Sequence, residues 1–454
     1  MPGTSAAHPP PAPRSFVPMT GNTLLRTLTR PFAGFFQQEA ASGAVLLVVS
    51  VLSLILANTE VGIARYFPAV WATPVRLAVG SFGLTHTLLE WINDGLMTIF
   101  FLIVGLEIKR EVLAGELSTR PQAALPAIAA VGGMVVPALL YAAFNAGTAT
   151  AGGWGIPMAT DIAFALAILH LLGRRVPVAL RVFVAALAII DDLGAVLVIA
   201  LFYTKHIAWV YLGLAAGLWG ALLLLGRAGI RSLTVYVGLG LVLWWLLLES
   251  GVHATLAGVL LAAAVPFRAR APRAARRAVL AAWQRRHATL ATDPTDPDAI
   301  NADFVALADA AHLLDSPARR LEGRLHGVVA FGVVPLFAFA NTSLVIEPGV
   351  VRELASPLGL GVLLGLLVGK PLGIGGAMWT AVRAGWATVP TGTTWRQLAG
   401  ASLLGGIGFT MSIFITLLAL PGAHEQDVAK AAILLASAVA GVAGYGVLRM
   451  RNEE

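Results

Sequence analysis

The sequence predicts an all-α polytopic membrane protein with about twelve transmembrane helices. Three observations predict this class: 57% of the 454 residues are hydrophobic, only 12% are charged, and the mean hydropathy is +0.80. Soluble domains usually carry about twice that fraction of charged residues. A compact globule of this composition would have too little polar surface to cover itself, so most of the apolar excess is expected to face lipid.

Cysteine content and charge exclude other classes. The chain contains no cysteine, which rules out disulfides and thiolate metal sites and leaves the redox compartment open. The net charge of +7 comes from basic residues in short loops beside apolar segments, a pattern typical of membrane orientation rather than nucleic-acid binding. The tryptophans fit interfacial belts and imply no cofactor. Residues 1–34 lack the apolar core of a signal peptide, and we expect a disordered cytoplasmic tail there.

Twelve apolar runs each have roughly the 17–25 residues that a bilayer crossing needs. We expect helices 1–8 within 35–267, a polar cytoplasmic loop over 268–324, helices 9–12 within 325–449, and a cytoplasmic tail at 450–454. The runs are 41–59, 88–107, 123–145, 154–172, 178–203, 207–226, 232–249, 251–267, 325–346, 356–380, 397–420 and 427–448.

The distribution of Lys and Arg predicts the orientation of these spans. Basic residues follow the even-numbered spans, as at Lys109 and Arg110, and seven arginines lie in 268–286 after the eighth. The alternate loops are poorer in charge, and 146–153 has none. Twelve spans with both termini in the cytoplasm satisfy the positive-inside rule.

Two sets of three spans have the spacing of inverted-topology repeats. The third to fifth spans and the tenth to twelfth are seven apart, an odd number, so equivalent helices would run in opposite directions. Each triplet has an interrupted middle span, which predicts two discontinuous helices that cross near mid-bilayer and form a binding site there. The interrupting residues are Gly152, Gly153, Gly155 and Pro157 in one span and Gly405, Gly406 and Gly408 in the other.

Asp191 and Asp192 lie in the middle of the fifth span. One charged side chain at that depth costs on the order of 3 kcal/mol. Two neighbouring carboxylates cannot both ionise cheaply unless a cation binds between them, so protons and the cation compete. Hard oxygen ligands suit Na⁺, Li⁺ or Ca²⁺, and we identify this pair as a metal-ion site. The alternative, an acid pair in a surface loop, is disfavoured by the apolar sequence on both sides.

Three further polar residues interrupt apolar spans. Lys370, in the tenth span, is expected to pair with Asp191 or Asp192, or to neutralise the C-terminus of a half-helix; a snorkelling lysine at a helix end is the alternative. Asp161 and Thr160 follow the break in the fourth span. Dipole compensation and cation coordination are both open for Asp161, and the two are compatible.

Other ionisable residues lie near the span ends. Asp94 is near the outer end of the second span, where an interfacial position is the plain interpretation. A cluster on one face at the cytoplasmic end of that span fits an ordinary salt-bridged helix end. Two histidines could titrate near neutral pH, although a lone histidine is more often structural. The cluster is Glu107, Arg110 and Glu111, the histidines are His253 and His326, and Glu322 is similarly placed.

Eight segments, in order over about residues 35–450, resemble the NhaA family of bacterial Na⁺/H⁺ antiporters. They are WINDGLM (91–97), VGLEIKRE (104–111), ATDIAFA (159–165), AIIDDLGA (188–195), SGVHATLAG (250–258), PLFAFAN (335–341), GKPLG (369–373) and GIGFTMSIFI (406–415).

The resemblance implies roles for individual residues. Asp192 resembles the principal cation ligand of the family, and Asp191 its proton-carrying partner, paired with Lys370. Asp161 and Thr160 are implied to lie near the site, with Asp161 and Lys370 offsetting half-helix dipoles. Asp94 matches an acid on the outer side. Further residues match cytoplasm-facing positions tied to pH activation, although GlyArg at 323–324 and GlyVal at 327–328 depart from the family pattern. These are Glu107, Arg110, Glu111, His253 and Glu322.

The function implied is secondary transport rather than enzymatic catalysis. The resemblance implies alternating-access exchange of Na⁺ or Li⁺ for protons in the bacterial inner membrane, electrogenic and active at alkaline pH, with no cofactor. It leaves open the ion preference, the stoichiometry and whether the protein is a homodimer. An intramembrane aspartyl protease would need two aspartates on separate helices, and a passive channel would favour rings of ligands along a pore. Neither fits one acid pair with a lysine counter-charge.

Overall fold

The computed structural model describes residues 41–59, 66–79, 82–204, 207–267 and 316–450, with isolated residues at 277, 280, 281 and 284. The predicted N-terminal tail, the C-terminal tail beyond residue 450 and nearly all of the predicted loop before residue 316 lie outside the described residues.

The described chain is helical apart from one hairpin and a few 3-10 turns. The helices are α1 (Ala41–Ala57), α2 (Phe67–Val70), α3 (Leu88–Ala114), α4 (Arg120–Asn145), α5 (Ile162–Leu171), α6 (Val178–Phe202), α7 (Trp209–Arg227), α8 (Leu233–Ser250), α9 (Leu256–Ala264), α10 (Pro317–Asn341), α11 (Pro348–Glu353), α12 (Pro357–Arg383), α13 (Trp395–Gly405), α14 (Phe409–Ala419) and α15 (Ala423–Arg449). The strands are β1 (Pro74–Val79) and β2 (Phe82–Thr87), and the 3-10 segments are Glu116–Ser118, Ala151–Met158 and Gly173–Arg175.

The prediction of an all-α polytopic membrane protein is confirmed. In the part of the chain that is described, nine helices are long and apolar enough to cross a membrane, and the bent pair α13–α14 makes a tenth candidate. The count of twelve stays a prediction because α1 has only 17 residues and α9 has nine. The predicted span 251–267 was too long. Gly251 has a left-handed conformation (φ +80°) that ends α8, and α9 begins only at Leu256.

A β-hairpin precedes α3, and the sequence analysis did not predict it. β1 and β2 pair antiparallel from Pro74 opposite Thr87 to Val79 opposite Phe82. Thr87 also caps α3, since its hydroxyl accepts the Glu90 N–H while the Glu90 carboxylate accepts the Thr87 N–H. Short alternating strands give a weak signal beside long apolar helices, which is why the hairpin was missed.

The predicted loop 268–324 ends too late, because α10 begins at Pro317. The Ser316 hydroxyl caps the first turn by accepting the Arg319 N–H at 3.2 Å, and proline occupies the first helical position. This first part of α10 is rich in charge and reads as loop by hydropathy alone. Its helical start places Glu322 and His326 on the same helix as the apolar residues that follow.

The apolar side chains form two packed clusters. The first is built mainly from α4–α6 and α12–α15, and the second mainly from α7–α9 and the first part of α10. Helices α3 and α10 contribute to both, so they line the boundary between the clusters. Within the first cluster α4 and α12 touch backbone to backbone, because a Cβ on Gly373 would overlap the Gly132 carbonyl.

We predict that Gly373→Val destabilises the protein, because the added side chain must push α12 away from α4. Overpacking of this kind costs about 1–3 kcal/mol, and a lower melting temperature in detergent would report it. Gly376→Val is the matched control, since a Cβ at Gly376 meets no described atom within 4 Å. Equal melting temperatures for the two variants would contradict the prediction.

Candidate cation site

Two helix interruptions meet in the first cluster. The 3-10 segment ends at Met158, Ala159 and Asp161 are extended, and α5 starts at Ile162. The second interruption lies between α13 and α14, which are bent by 40° at residues 406–408. The Asp161 N–H donates to the Ile407 carbonyl at 2.7 Å, so the interruptions are in direct contact. No membrane is present, and the crossing of two discontinuous helices at mid-bilayer stays a prediction.

Thr160 and Ser412 hold the two interruptions together. The Thr160 hydroxyl donates to the Gly405 carbonyl, the last of α13, at 3.0 Å. The Ser412 hydroxyl donates to the Ile156 carbonyl of the 3-10 segment at 2.8 Å. Each bond satisfies a carbonyl that a helix end leaves without its usual partner. Thr160 also lies beside Asp191, so it belongs both to the contact between the two interruptions and to the acid pair.

Asp161 caps the N-termini of two half-helices at once. Its Oδ1 accepts the Phe164 N–H of α5 at 3.0 Å. Its Oδ2 accepts the N–H and the hydroxyl of Thr410 in α14, at 3.2 and 2.5 Å. Both helices present their positive ends to this buried carboxylate, which is stabilised there by hydrogen bonds and by the helix dipoles. The geometry matches dipole compensation, one of the two interpretations that the sequence left open.

Lys370 makes the complementary contact to that of Asp161: it binds the C-terminus of a helical segment. Its side chain is fully buried, and Nζ donates to the carbonyl of Met158, the last residue of the 3-10 segment. The same Nζ lies 2.6 Å from Asp191 Oδ2. A π-helical turn, Gly365–Gly369, immediately precedes the lysine, and such turns often occur at functional sites. Lys370 therefore makes both contacts expected from the sequence: it pairs with an acid, Asp191, and it binds a carbonyl at the C-terminus of a helical segment.

Asp192 faces a cavity of about 60 Å³. The residue is 2% exposed, and its buried Oδ1 has no hydrogen-bond partner among the described residues. Asp161 and Thr410 line the same cavity. An unsatisfied carboxylate oxygen in an apolar interior is costly, so it marks a position where a cation or a proton would be stabilised.

The far end of this cavity is lined by Glu107 and His326. His326 Nδ1 lies 3.6 Å from Glu107 Oε1. Nearby, Arg110 pairs with Glu111 at 3.2 Å and with Glu322 of α10. These five residues form the polar cluster at the boundary between α3 and α10.

The structure separates His253 and Asp94 from that cluster, and the grouping of His253 with cytoplasm-facing residues was wrong. His253 Nε2 is 3.1 Å from the Tyr203 carbonyl, just beyond the C-terminus of α6. It precedes the N-terminus of α9, whereas the C-terminus of α9 contacts Lys109 beside the cluster. Asp94 lies in a π-helical turn of α3, where its carbonyl accepts the Trp244 N–H at 3.0 Å. It does not line the cavity.

Sequence reasoning did not select Thr410, Ser412 or His326 as site residues. Thr410 and Ser412 lie in the GIGFTMSIFI segment, and their hydroxyls following an interrupted helix were the available signal. His326 was noted only as a histidine able to titrate, because its partner Glu107 is on a distant segment.

The donor set suits a small hard cation. In the described ranges no group of three or more His, Asp or Glu side chains is arranged to hold a metal ion. What the site offers is a carboxylate pair, hydroxyls and carbonyl oxygens beside one ammonium group. Oxygen ligands of this kind suit an alkali cation that binds transiently.

A polytopic membrane fold with buried acids where interrupted helices meet defines the class of secondary ion transporters. A profile of the family described as Na⁺/H⁺ antiporter 1 matches residues 33–448. The chain belongs to this family of Na⁺/H⁺ antiporters. It is a multi-pass membrane transporter and not an enzyme, and Na⁺ and H⁺ are its substrates.

Curated relatives cover nearly the whole chain. The Na⁺/H⁺ antiporter NhaA of Oleidesulfovibrio alaskensis is 46% identical over 434 residues, which are 93% of this chain and 94% of the relative. NhaA 2 of Flavobacterium johnsoniae is 44% identical over 93% of each chain. NhaA of Escherichia coli is 44% identical over 92% of this chain and 97% of its own length. The resemblance stated from sequence motifs is thereby confirmed.

We predict that Lys370→Met lowers the free energy of unfolding by about 3–5 kcal/mol, because it leaves Asp191 buried without its counter-charge. The double variant Asp191→Asn/Lys370→Met removes both charges and should regain most of that loss. Thermal unfolding of both purified variants in detergent would measure the difference. If the double variant unfolds at the same temperature as Lys370→Met, the ion pair is not the cause.

Proposed function

We propose that the protein exports Na⁺ in exchange for protons by alternating access, with Asp192 as the principal cation ligand and Asp191 as its proton-carrying partner. The observation that carries the proposal is the unsatisfied Oδ1 of Asp192, buried beside Asp191 and open to a cavity. A proton or a Na⁺ ion would satisfy that oxygen. Since both use the same lone pairs, binding of one displaces the other.

Lys370 contacts both Asp191 and the end of the 3-10 segment, so the charge state of Asp191 affects how that segment is held. When Asp191 is ionised, Nζ donates both to its carboxylate and to the Met158 carbonyl. Protonation of Asp191 removes the ionic part of this interaction and leaves the ammonium bound to the 3-10 segment. The position of the interrupted helix then depends on whether the acid pair holds protons or a cation, which is the differential contact that alternating access requires.

Asp161 and Thr160 complete the site in this proposal. Asp161 offsets the positive ends of α5 and α14, and Thr160 supplies a hydroxyl beside the acid pair. Their hydrogen bonds fix the crossing, so that Asp191 and Asp192 are left to exchange ions.

The cavity that reaches Glu107 and His326 is the proposed cytoplasmic entry. The Arg110–Glu322 ion pair and the Glu107–His326 contact join α3 to α10, at the boundary of the two apolar clusters, and Arg110 also pairs with Glu111 within α3. Titration there would change how the clusters meet, which supports activation at alkaline pH. His253 belongs to the opposite end of α9, and Asp94 would act on the outer side.

Further properties complete the proposal. We assign the protein to the bacterial inner membrane with both termini cytoplasmic, and we expect it to use Li⁺ as well as Na⁺ and to need no cofactor. Exchange of two protons for one Na⁺ would move net charge, so the membrane potential would drive Na⁺ export. We propose that the protein is embedded in the lipid bilayer.

We predict that Na⁺ jumps on solid-supported membranes carrying the wild-type protein give transient currents, because unequal charges are exchanged. Asp192→Asn should abolish the currents, since the principal carboxylate is lost. Asp427→Asn serves as the control, because Asp427 pairs only with Lys430 among the described residues and is 42% exposed. Currents of wild-type size from Asp192→Asn would refute the assigned site, whereas sodium-dependent proton flux without current would refute only electrogenicity.

We also predict that the apparent KM for Na⁺ falls as pH rises. Protons and Na⁺ compete for the acid pair, so one displaced proton gives about a tenfold fall in KM per pH unit over the acidic side of the titration. Dequenching of a pH-sensitive dye in everted vesicles, recorded over a Na⁺ series at several pH values, measures this dependence. A KM independent of pH would rule out direct competition.

A further inference from the structure

Lys109 stands in the middle of the polar cluster on α3 yet takes no part in its ion pairs. It lies between Glu107 and Arg110 in the sequence. Its Nζ donates instead to three main-chain carbonyls at the end of α9: Ala262 at 3.1 Å, Ala263 at 2.7 Å and Val265 at 2.6 Å.

These three bonds use the whole donor capacity of an ammonium group. Their acceptors are carbonyls of the last turn and C-cap of α9, which the helix itself leaves unsatisfied. A cation at a helix C-terminus is also favoured by the helix dipole. Lys109 is therefore bound as a cap on α9 rather than as a partner for the neighbouring carboxylates.

The Lys109 contact lies at one end of the α3–α9 pair, whose main chains pack unusually closely. A Cβ on Gly105 of α3 would lie 2.7 Å from the Cβ of Ala262, and a Cβ on Gly258 would overlap the main chain of Thr98 and Leu102. Packing thus holds α3 against α9 along the apolar part. Lys109 lies beyond Gly105, on the side of the polar cluster, and its hydrogen bonds continue the attachment of α3 to α9.

We infer that Lys109 is a positioning residue for transport: it anchors the end of α3 to α9 and thereby holds Glu107 at the cavity and Arg110 beside Glu322. The inference rests on the proposed function of the polar cluster. Without the anchor, the last turns of α3 lose their hydrogen bonds to α9, and the Glu107 carboxylate loses its defined place opposite His326.

The charged groups around Glu107 come from several helices. His326 and Glu322 face it from α10, Arg110 and Glu111 share its own helix, and α9 contributes no titratable side chain. From the other end of the cavity Asp161 and Asp192 face it. Removing the Lys109 charge leaves this mostly acidic surrounding more negative, and a more negative surrounding attracts protons more strongly, so exchange should require a more alkaline pH.

The test compares Lys109→Met, Lys109→Arg and Lys430→Met with the wild type. Lys430 is the matched control because it forms an ion pair with Asp427, on its own helix α15. We expect Lys109→Met to raise the apparent KM for Na⁺ about tenfold and to move the activation profile to more alkaline pH, with the maximal rate within about twofold of wild type. Lys109→Arg should recover most of both changes, and Lys430→Met should match the wild type.

A second measurement reports the anchor without transport. The sequence has no cysteine, so Val112→Cys, at a position on α3 that is 50% exposed, introduces a single site for a spin label. The label should become more mobile when Lys109→Met is added and stay unchanged when Lys430→Met is added.

Three results would overturn the inference. They are an unchanged KM and pH profile in folded Lys109→Met, an equal loss of maximal rate in the Met and Arg variants, and an unchanged label mobility. A wild-type protein whose exchange does not rise with pH would instead refute the proposed role of the polar cluster, and that measurement precedes the variants.

Discussion

The structure depends on one constraint: a helix that stops inside an apolar interior leaves peptide groups that must find partners. The interruptions at residues 159–161 and 406–408 create such ends. Asp161 accepts hydrogen bonds from two helix N-termini, and Lys370 donates to the carbonyl at the end of the 3-10 segment. These buried charges stabilise the interruptions, and the interruptions in turn give each charge a partner that makes its burial tolerable.

That mutual compensation explains why Asp192 is set apart. Asp161 is bonded through both of its carboxylate oxygens, and Asp191 is paired with Lys370. Asp191 and Asp192 each keep a buried Oδ1 without a hydrogen-bond partner in the described chain, but Asp191 has Lys370 as its counter-charge, and of the two only Asp192 lines the cavity. The proposed division between acids that maintain the fold and an acid that exchanges ions follows from their partners and from their access to the cavity, not from their residue type.

The cavity lies where the two apolar clusters meet. Helices α3 and α10 contribute to both clusters, and the polar cluster spans these same two helices. The two sides of this boundary are attached to different parts of the protein. On one side, α3 is bonded to α9 through Lys109. On the other side, Asp161 and Lys370 belong to the first cluster. The polar cluster is thus attached to the second apolar cluster, whereas Asp161 and Asp192 lie in elements of the first, so relative motion of the two clusters would change how the polar cluster faces these acids across the cavity.

The sequence by itself determined the membrane class, the acid pair and the family, because long apolar spans and buried acids are local features of strong energetic cost. It also placed glycines at both interruptions and a proline at the first, and it proposed Lys370 as a counter-charge. It missed the hairpin before α3, the helical start of α10 and the roles of Thr410 and Lys109. Only the tertiary structure decided that Lys370 pairs with Asp191, that Asp161 caps two helices at once, and that His253 lies apart from Glu107. These facts depend on contacts between segments as many as about 250 residues apart along the chain, and no local periodicity encodes such contacts.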